Sequence, residues 1–519
     1  MPNQSLKRRY SAKLVANFIG LGIGLLVAII VPRGLGPELY GDYNFLTSFF
    51  LSLIGFFTLS TEQGFFVKLS QRPHDIQLIS FYSKFNLLAI SALFVFIIIC
   101  QWLKLSDAIW INQPMRFVYM GALAAALTWM VQIMTYVVDA YALTVSSEIM
   151  RIIQKAIGFF MIGALFVMHQ LSLFNYFIYN YIISIILIVA FIILLSSRGI
   201  AFYKEWRLKA TKINEYIHEF YHYSRPLFIV SCFSIVATLF ERWLLQKFGG
   251  SIQQGFYGLS YQIGSICILF TTAMSSIMMR EFAIAYKDNA VNEMSRMFRR
   301  YVPLLYSIAA FIACFISIQS DAVTFIFGGK QFSNATIPVM IMALYPIHQT
   351  YGQLNSTIFL ATGQTKIYSI ISLVFILVGL PMVYFLIAPA EQMGFEKGAT
   401  GLAIKMVFIQ FIAVNVQLFY HSKYLKLPFI KYFAHQIISV CLFILLAFVS
   451  KKIVSFIPVF ENNILGNVVS SGFMYCIMVL PVLLFFPKIF GLYPDDIKNG
   501  IEVIERQFIN LKSNSKNNT

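Results

Sequence analysis

The pentapeptide HEFYH, His218 to His222, sets two imidazoles four residues apart with Glu219 between them. This is the H-E-x-x-H pattern, in which one helix face offers two nitrogens to zinc while the glutamate activates a bound water. A membrane metalloprotease built on His218, Glu219 and His222 is therefore one chemistry the sequence offers. A catalytic zinc of this type needs a third protein ligand. His169, His348 and His421 stand isolated in other segments, and no downstream acid or extended histidine motif follows. The same residues also read as an amphipathic helix lying in the headgroup boundary, with Ile213, Ile217 and Phe220 on one face and Glu215, Glu219, His218 and His222 toward the other. On that reading no metal and no catalytic residue is expected.

A second set of residues bears on a different chemistry. Lys84, Lys155, Arg242 and Lys405 fall within or near the ends of long apolar runs, where a charge costs about 2.5–3.5 kcal/mol at a helix centre on insertion scales. Such residues face a cavity or a partner, or snorkel to the interface. Arg33, Glu62, Gln262 and Arg280 complete the candidate binding set. Arginine grips phosphate bidentately and lysine meets it as a point charge, so cations in this setting are compatible with an anionic ligand.

The elements that must position these residues follow from composition. Of the 519 residues 59% are hydrophobic and only 12% are charged, too few charges to cover a soluble surface of this size. Apolar runs long enough to cross about 30 Å of hydrocarbon recur along the whole chain. The fold class expected is an all-α polytopic membrane protein, and the first run reads as a transmembrane helix rather than a cleaved signal. Hydropathy places helices near 12–31, 43–60, 79–102, 115–138, 150–169, 172–196, 226–247, 258–280, 301–325, 337–361, 367–388, 399–420, 430–455 and 463–486. Basic residues concentrate in alternate connections, which puts both termini in the cytoplasm. The net charge of +17 follows from the same basic loops facing anionic lipid, and no nucleic-acid partner is expected. The six cysteines sit singly within apolar runs and read as small packing residues. No Walker A, dinucleotide or G-x-S-x-G pattern occurs, which argues against an ATP-driven pump or a hydrolase.

An internal repeat organises the chain. After the first helix the sequence reads RGLGPELYGDYNF, and after the seventh QKFGGSIQQGFYG. Both are expected to leave the membrane through glycines, turn, and re-enter through Gly-Asp-Tyr at 41–43 and Gly-Phe-Tyr at 255–257. Two copies six helices apart imply two parallel six-helix lobes. The expected plan is an N-lobe over 1–196, a cytoplasmic linker over 197–225, a C-lobe over 226–420, two further helices over 421–486 and a tail over 487–519.

PRGLGPELYGDYNF, ERWLLQKFGGSIQQGFYGLSYQIG, the stretch FGGKQFSNATIPVMIMALYPIHQTYGQLNSTIFLATGQTKIYSIIS and KGATGLAIKMVFIQ resemble segments of the multidrug/oligosaccharidyl-lipid/polysaccharide exporter superfamily. Within it they look like the Wzx-type flippases of O-antigen and capsule assembly, over about residues 10 to 425. The resemblance implies a MATE-like fold and a transporter, not an enzyme. It would flip undecaprenyl-pyrophosphate-linked oligosaccharides to the outer leaflet by alternating access. The partners implied are that lipid-linked cargo, membrane lipids, and the polysaccharide polymerase and chain-length machinery. No cofactor is implied, coupling to H⁺ or Na⁺ being left open. The alternative within the superfamily is a multidrug cation antiporter, which favours a carboxylate in the first helix; SAKLVANFIGLGIGLLVAIIV carries none.

Overall fold

Hydrocarbon offers the backbone no hydrogen-bond partner, so apolar runs of this length must satisfy their own N–H and C=O groups as helix. The computed structural model describes residues 6–59, 61–73, 75–200, 210–457 and 463–492, and among them there is no strand. The helices are α1 (Leu6–Phe57), α2 (Glu62–Gln71), α3 (Ile76–Trp102), α4 (Ser106–Ile109), α5 (Met115–Ala140), α6 (Thr144–Val167), α7 (Leu173–Ser197), α8 (Ala210–Ser265) and α9 (Leu269–Lys287). They continue as α10 (Val291–Ile318), α11 (Ser320–Gly328), α12 (Thr336–Met342), α13 (Tyr345–Ala361), α14 (Thr365–Ile387), α15 (Gly398–Tyr424), α16 (Phe429–Ser455) and α17 (Ile464–Phe485).

Eleven helical stretches of the described residues are long and apolar enough to cross a membrane, fewer than the sequence reading places. Two of them, Gly22–Phe57 and Phe228–Ile268, each carry two of the expected helices. The expected loops at the repeat are corrected here: α1 continues through a single non-helical residue at Gly36 (φ 75°, ψ 172°) and α8 through one at Gly250 (φ 68°, ψ −174°). That backbone conformation is open essentially to glycine alone, so a sharp bend takes the place of a loop. The expected helix at 337–361 is divided between α12 and α13, neither of which is among the long stretches.

The described residues fall into two compact units. The first is drawn from Met1–Leu259, Phe327–Ala335 and Ser372–Leu402. Its interior has one cluster around Phe45, Phe50, Trp110 and Phe177 and another around Phe65, Tyr82, Val137, Phe191 and Tyr216. Lipid tails are as apolar as leucine, so close approach of helices decides association in a membrane. Accordingly α5 turns Gly121, Ala122 and Ala125 inward, and a Cβ on Gly121 would come within 2.7 Å of the Leu46 side chain on α1.

The second unit is drawn from Ser260–Ile326, Thr336–Ile371 and Ala403–Thr519. Phe282, Phe298, Tyr306, Tyr351, Leu418 and Phe443 form its core. The Asn415 and Gln436 amides pair reciprocally across α15 and α16, at 3.0 and 3.3 Å. Tyr475 of α17 stacks on Phe311 of α10, and its hydroxyl donates to the Phe311 carbonyl at 3.1 Å. Ser307 donates to the Ile489 carbonyl, which also lies 2.8 Å from Nε2 of His435, so the turn after α17 is fastened to α10 and α16. Helix exteriors in both units carry exposed apolar side chains such as Leu88, Phe160, Val167 and Phe473, as surfaces bathed in lipid should.

Candidate functional site

The two bends meet. Gly41 lies five residues after the Gly36 bend, and Gly255 five residues after the Gly250 bend. The Ser251 carbonyl oxygen rests directly against Gly41, and the Pro37 carbonyl oxygen directly against Gly255, so each repeat supplies the same glycine and the same carbonyl to the other. One turn further, a Cβ on Gly258 would stand 2.9 Å from the amide of Asn44, its equivalent in the first repeat. Only glycines let two helix backbones approach so closely.

A polar network surrounds this contact. The Asp42 carboxylate accepts a short hydrogen bond from the Ser251 hydroxyl and another from Gln113 Nε2 at 2.5 Å. Gln246 Nε2 donates to both Ser251 Oγ and the Ile111 carbonyl at 3.1 Å, and Trp243 Nε1 donates to the Ala108 carbonyl at 2.8 Å. The Gln253 side chain caps α15 by accepting from the Ala399 N–H at 2.8 Å. Charges inside a span persist where donors surround them, and Asp42 has two. The sequence reading quoted Gly-Asp-Tyr at 41–43 as a turn and missed Asp42, Gln113, Gln246 and Ser251 as a cluster. An acidic side chain inside an otherwise acid-poor apolar stretch was the signal available.

Of the candidate binding residues, Arg242 stands beside the bend contact, bonded to Gln254, the neighbour of Gly255. Its Nη1 donates to Gln254 Oε1 at 3.2 Å, Gln254 donates back to the Arg242 carbonyl at 2.6 Å, and the guanidinium lies 4.5 Å over the Tyr257 ring. The other first-unit candidates stand elsewhere. Arg33 is exposed on α1 and runs alongside Gly329. Lys84 is half-buried on α3. Lys155 on α6 reaches the Gly20 carbonyl at 3.4 Å, and any side chain on Gly20 would strike its ammonium. Glu62 opens α2 close enough to Tyr82 and Tyr136 to act on both hydroxyls. Burial pushes its carboxyl above the usual range, against the opposing pull of its own backbone N–H. In the second unit Gln262 is half-buried near the end of α8, Arg280 is exposed on α9, and Lys405 is buried on α15. Within the first unit, then, Arg242 lies beside the bend contact while Lys155 and Glu62 keep separate company.

Several amides within the apolar helices are engaged in helix packing. Asn86 receives Trp129 Nε1 at 2.7 Å, Asn180 receives the Tyr43 hydroxyl at 3.2 Å, and Asn355 donates to the Val414 carbonyl at 3.3 Å.

HEFYH lies in the first stretch of α8 and carries an ion-pair cluster. Glu219 Oε1 meets Lys68 Nζ at 2.9 Å and Oε2 meets Arg72 Nη2 at 2.6 Å. Burial pushes the Glu219 carboxyl up, but hydrogen bonds and charge from Arg72 and Lys68 outweigh it and hold it below the ordinary value. A glutamate so engaged is not poised as a general base. His218 is exposed, the side chain of His222 lies outside the described residues, and no group of three metal-ligating side chains occurs among those described. The expected apolar face is corrected too. Tyr216 and Phe220 are buried, whereas Ile217 is 53% exposed. The helix packs on protein: Tyr216 and Phe220 contact the Phe81 ring, and the Tyr216 hydroxyl donates to Asp75 at 2.8 Å. Aromatic partners on α3 hold its buried side.

No family model matches the sequence, and no curated protein matches it. Solved structures do match the fold. The lipid II flippase MurJ in an inward closed conformation aligns over 91% of this chain and 98% of its own, with a TM-score of 0.63 at 13% identity. An inward-facing multidrug resistance MATE family transporter of the MOP superfamily aligns over 82% of this chain and 96% of its own, with a TM-score of 0.54 at 12% identity. An outward-facing one covers 81% and 96%, with a TM-score of 0.53 at 13% identity. At these identities the likeness is one of fold.

Proposed function

We propose that the chain is a flippase of the MOP superfamily, of the Wzx type, that moves undecaprenyl-pyrophosphate-linked oligosaccharides from the inner to the outer leaflet of a bacterial cytoplasmic membrane. The observation that carries the reading is the near end-to-end likeness in fold to a lipid II flippase. It is supported by cations set in apolar helices, Lys84, Lys155, Arg242 and Lys405, as an anionic pyrophosphate requires. Arg33, Glu62, Gln262 and Arg280 complete the proposed binding set. The product would pass to the polysaccharide polymerase, and both termini would face the cytoplasm.

Alternating access requires the two repeats to part on one side and close on the other. The reciprocal Gly41 and Gly255 contact, with Asp42 hydrogen-bonded to Ser251 of the other repeat, is the arrangement that would hold them closed at the bends. An inside-negative potential favours outward movement of an anion by about 2.3 kcal/mol per unit charge for each 100 mV.

The test is flipping of a lipid-linked oligosaccharide in proteoliposomes, with Lys84, Arg242 and Lys405 changed together to Gln. Loss of flipping with retained folding supports the assignment; an unchanged rate removes it. A second reading, a cation antiporter, draws on Asp42 and Glu62, the former being a carboxylate within the kinked first helix. Resistance of cells to cationic dyes on expression would favour it. A flippase confers none.

A further inference from the structure

Lys68 in the last turn of α2 and Arg72, the residue that caps it, hold the two oxygens of the Glu219 carboxylate separately. All three remain reachable, with side chains 25%, 38% and 21% exposed. Asp75, the nearby acid, is engaged by the Tyr216 hydroxyl. The next residue along α8, Phe220, is one wall of an apolar cavity of about 420 Å³, lined also by Phe81, Tyr82, Phe85, Tyr221 and Phe228. Its rim carries Ile217, Tyr221 and Ile229, each more than half exposed. Two neighbouring residues of α8 thus touch two features: Glu219 covers a pair of cations, and Phe220 walls an apolar pocket. Both lie where α2 gives way to the span that begins at Ile76, the depth at which headgroups meet acyl chains.

We propose that Lys68, Arg72 and this cavity form a binding site for an anionic phospholipid of the bilayer, its two cations held masked by Glu219. The lipid phosphate takes the place of the Glu219 carboxylate, exchanging one anion for another between the same two donors. One acyl chain enters the cavity. The carboxylate is an internal stand-in for the headgroup, so the lipid phosphate and Glu219 exclude one another at the two cations. Because α8 runs from Glu219 into the second repeat, the lipid composition of the membrane would act on the transporter through it. The proposal does not rest on the identity of the cargo.

The full-length protein, purified in detergent, is titrated with phosphatidylglycerol or phosphatidylcholine, and bound lipid is counted by native mass spectrometry. Glu219→Gln is expected to raise phosphatidylglycerol binding about threefold or more, by removing the competing anion, while phosphatidylcholine binding stays level. Lys68→Gln with Arg72→Gln is expected to abolish that gain. In Ile229→Trp combined with Glu219→Gln, phosphatidylglycerol brominated in its tail is expected to quench the new indole, whereas brominated phosphatidylcholine does not. Equal binding of the two lipids by the Glu219→Gln protein, or a gain that survives loss of both cations, overturns the site. Displacement of phosphatidylglycerol by equimolar undecaprenyl phosphate would reassign it to the carrier lipid and overturn the bilayer source.

Discussion

The main-chain oxygen of Ser251 lies directly against the α-carbon of Gly41, and the equivalent oxygen of Pro37 lies against Gly255, so that the two repeats clasp through matching positions. A methyl group at either glycine must push a backbone carbonyl away, a displacement that no side-chain rotation can absorb. Gly41→Ala and Gly255→Ala should each lower the thermal midpoint in detergent, by an amount corresponding to about 1–3 kcal/mol of overpacking. Gly24→Ala, which meets open space, should melt like the parent. Coincident midpoints for all three would mean that the clasp does not persist in solution.

Gly250 isolates the backbone contribution from the steric one. Nothing lies within 4 Å of a Cβ built there, yet its φ of 68° with ψ of −174° suits glycine alone. Gly250→Ala should therefore cost about 1–3 kcal/mol through strain in the bend. A midpoint unchanged from the parent would show that α8 tolerates a straighter path.

Asp42 accepts from both Ser251 and Gln113. In a double-mutant cycle, Asp42→Asn and Gln113→Ala should be non-additive by about 1–3 kcal/mol, the range for hydrogen bonds to charged groups. Unfolding midpoints of the two single variants and the double variant give the coupling directly. Strict additivity would separate the two side chains.

The Glu219 cluster carries a pH signature. Lys68 and Arg72 hold the Glu219 carboxyl below its ordinary 4.5, so its pairing stabilises the fold fully above that value and is lost as pH falls through the lower folded value. Glu219→Gln should thus cost at most about 1 kcal/mol at neutral pH, and the two melting curves should converge in acid. A constant gap down to pH 3 would place the effect in packing instead of charge.

The histidines of HEFYH should be dispensable for transport. With Glu219 engaged by two cations and His218 exposed, His218→Ala with His222→Ala is expected to leave flipping within about twofold of the parent, and purified protein to hold zinc well below one equivalent. Stoichiometric zinc that disappears in the double variant would reopen the metal reading.

Hydropathy alone determined the all-helical class, because a chain that must bury its own backbone hydrogen bonds in lipid has no other course. The repeat was legible as well: glycines and a tyrosine recur at matched positions, and a requirement for glycine is written in residue identity. Whether those glycines made loops or bends was not legible, since Gly36 and Gly250 permit either, and the choice came from helices that continue on both sides of them. The partners were decided in three dimensions. Asp42 finds Ser251 across 209 residues, and Glu219 finds Arg72 across 147 residues with Lys68 beside it, so no local pattern could name them. Spacing along one helix made His218, Glu219 and His222 look like a zinc site. Packing against α2 and α3 gave the glutamate to two cations, because a partly buried carboxylate is stabilised most by the donors nearest to it.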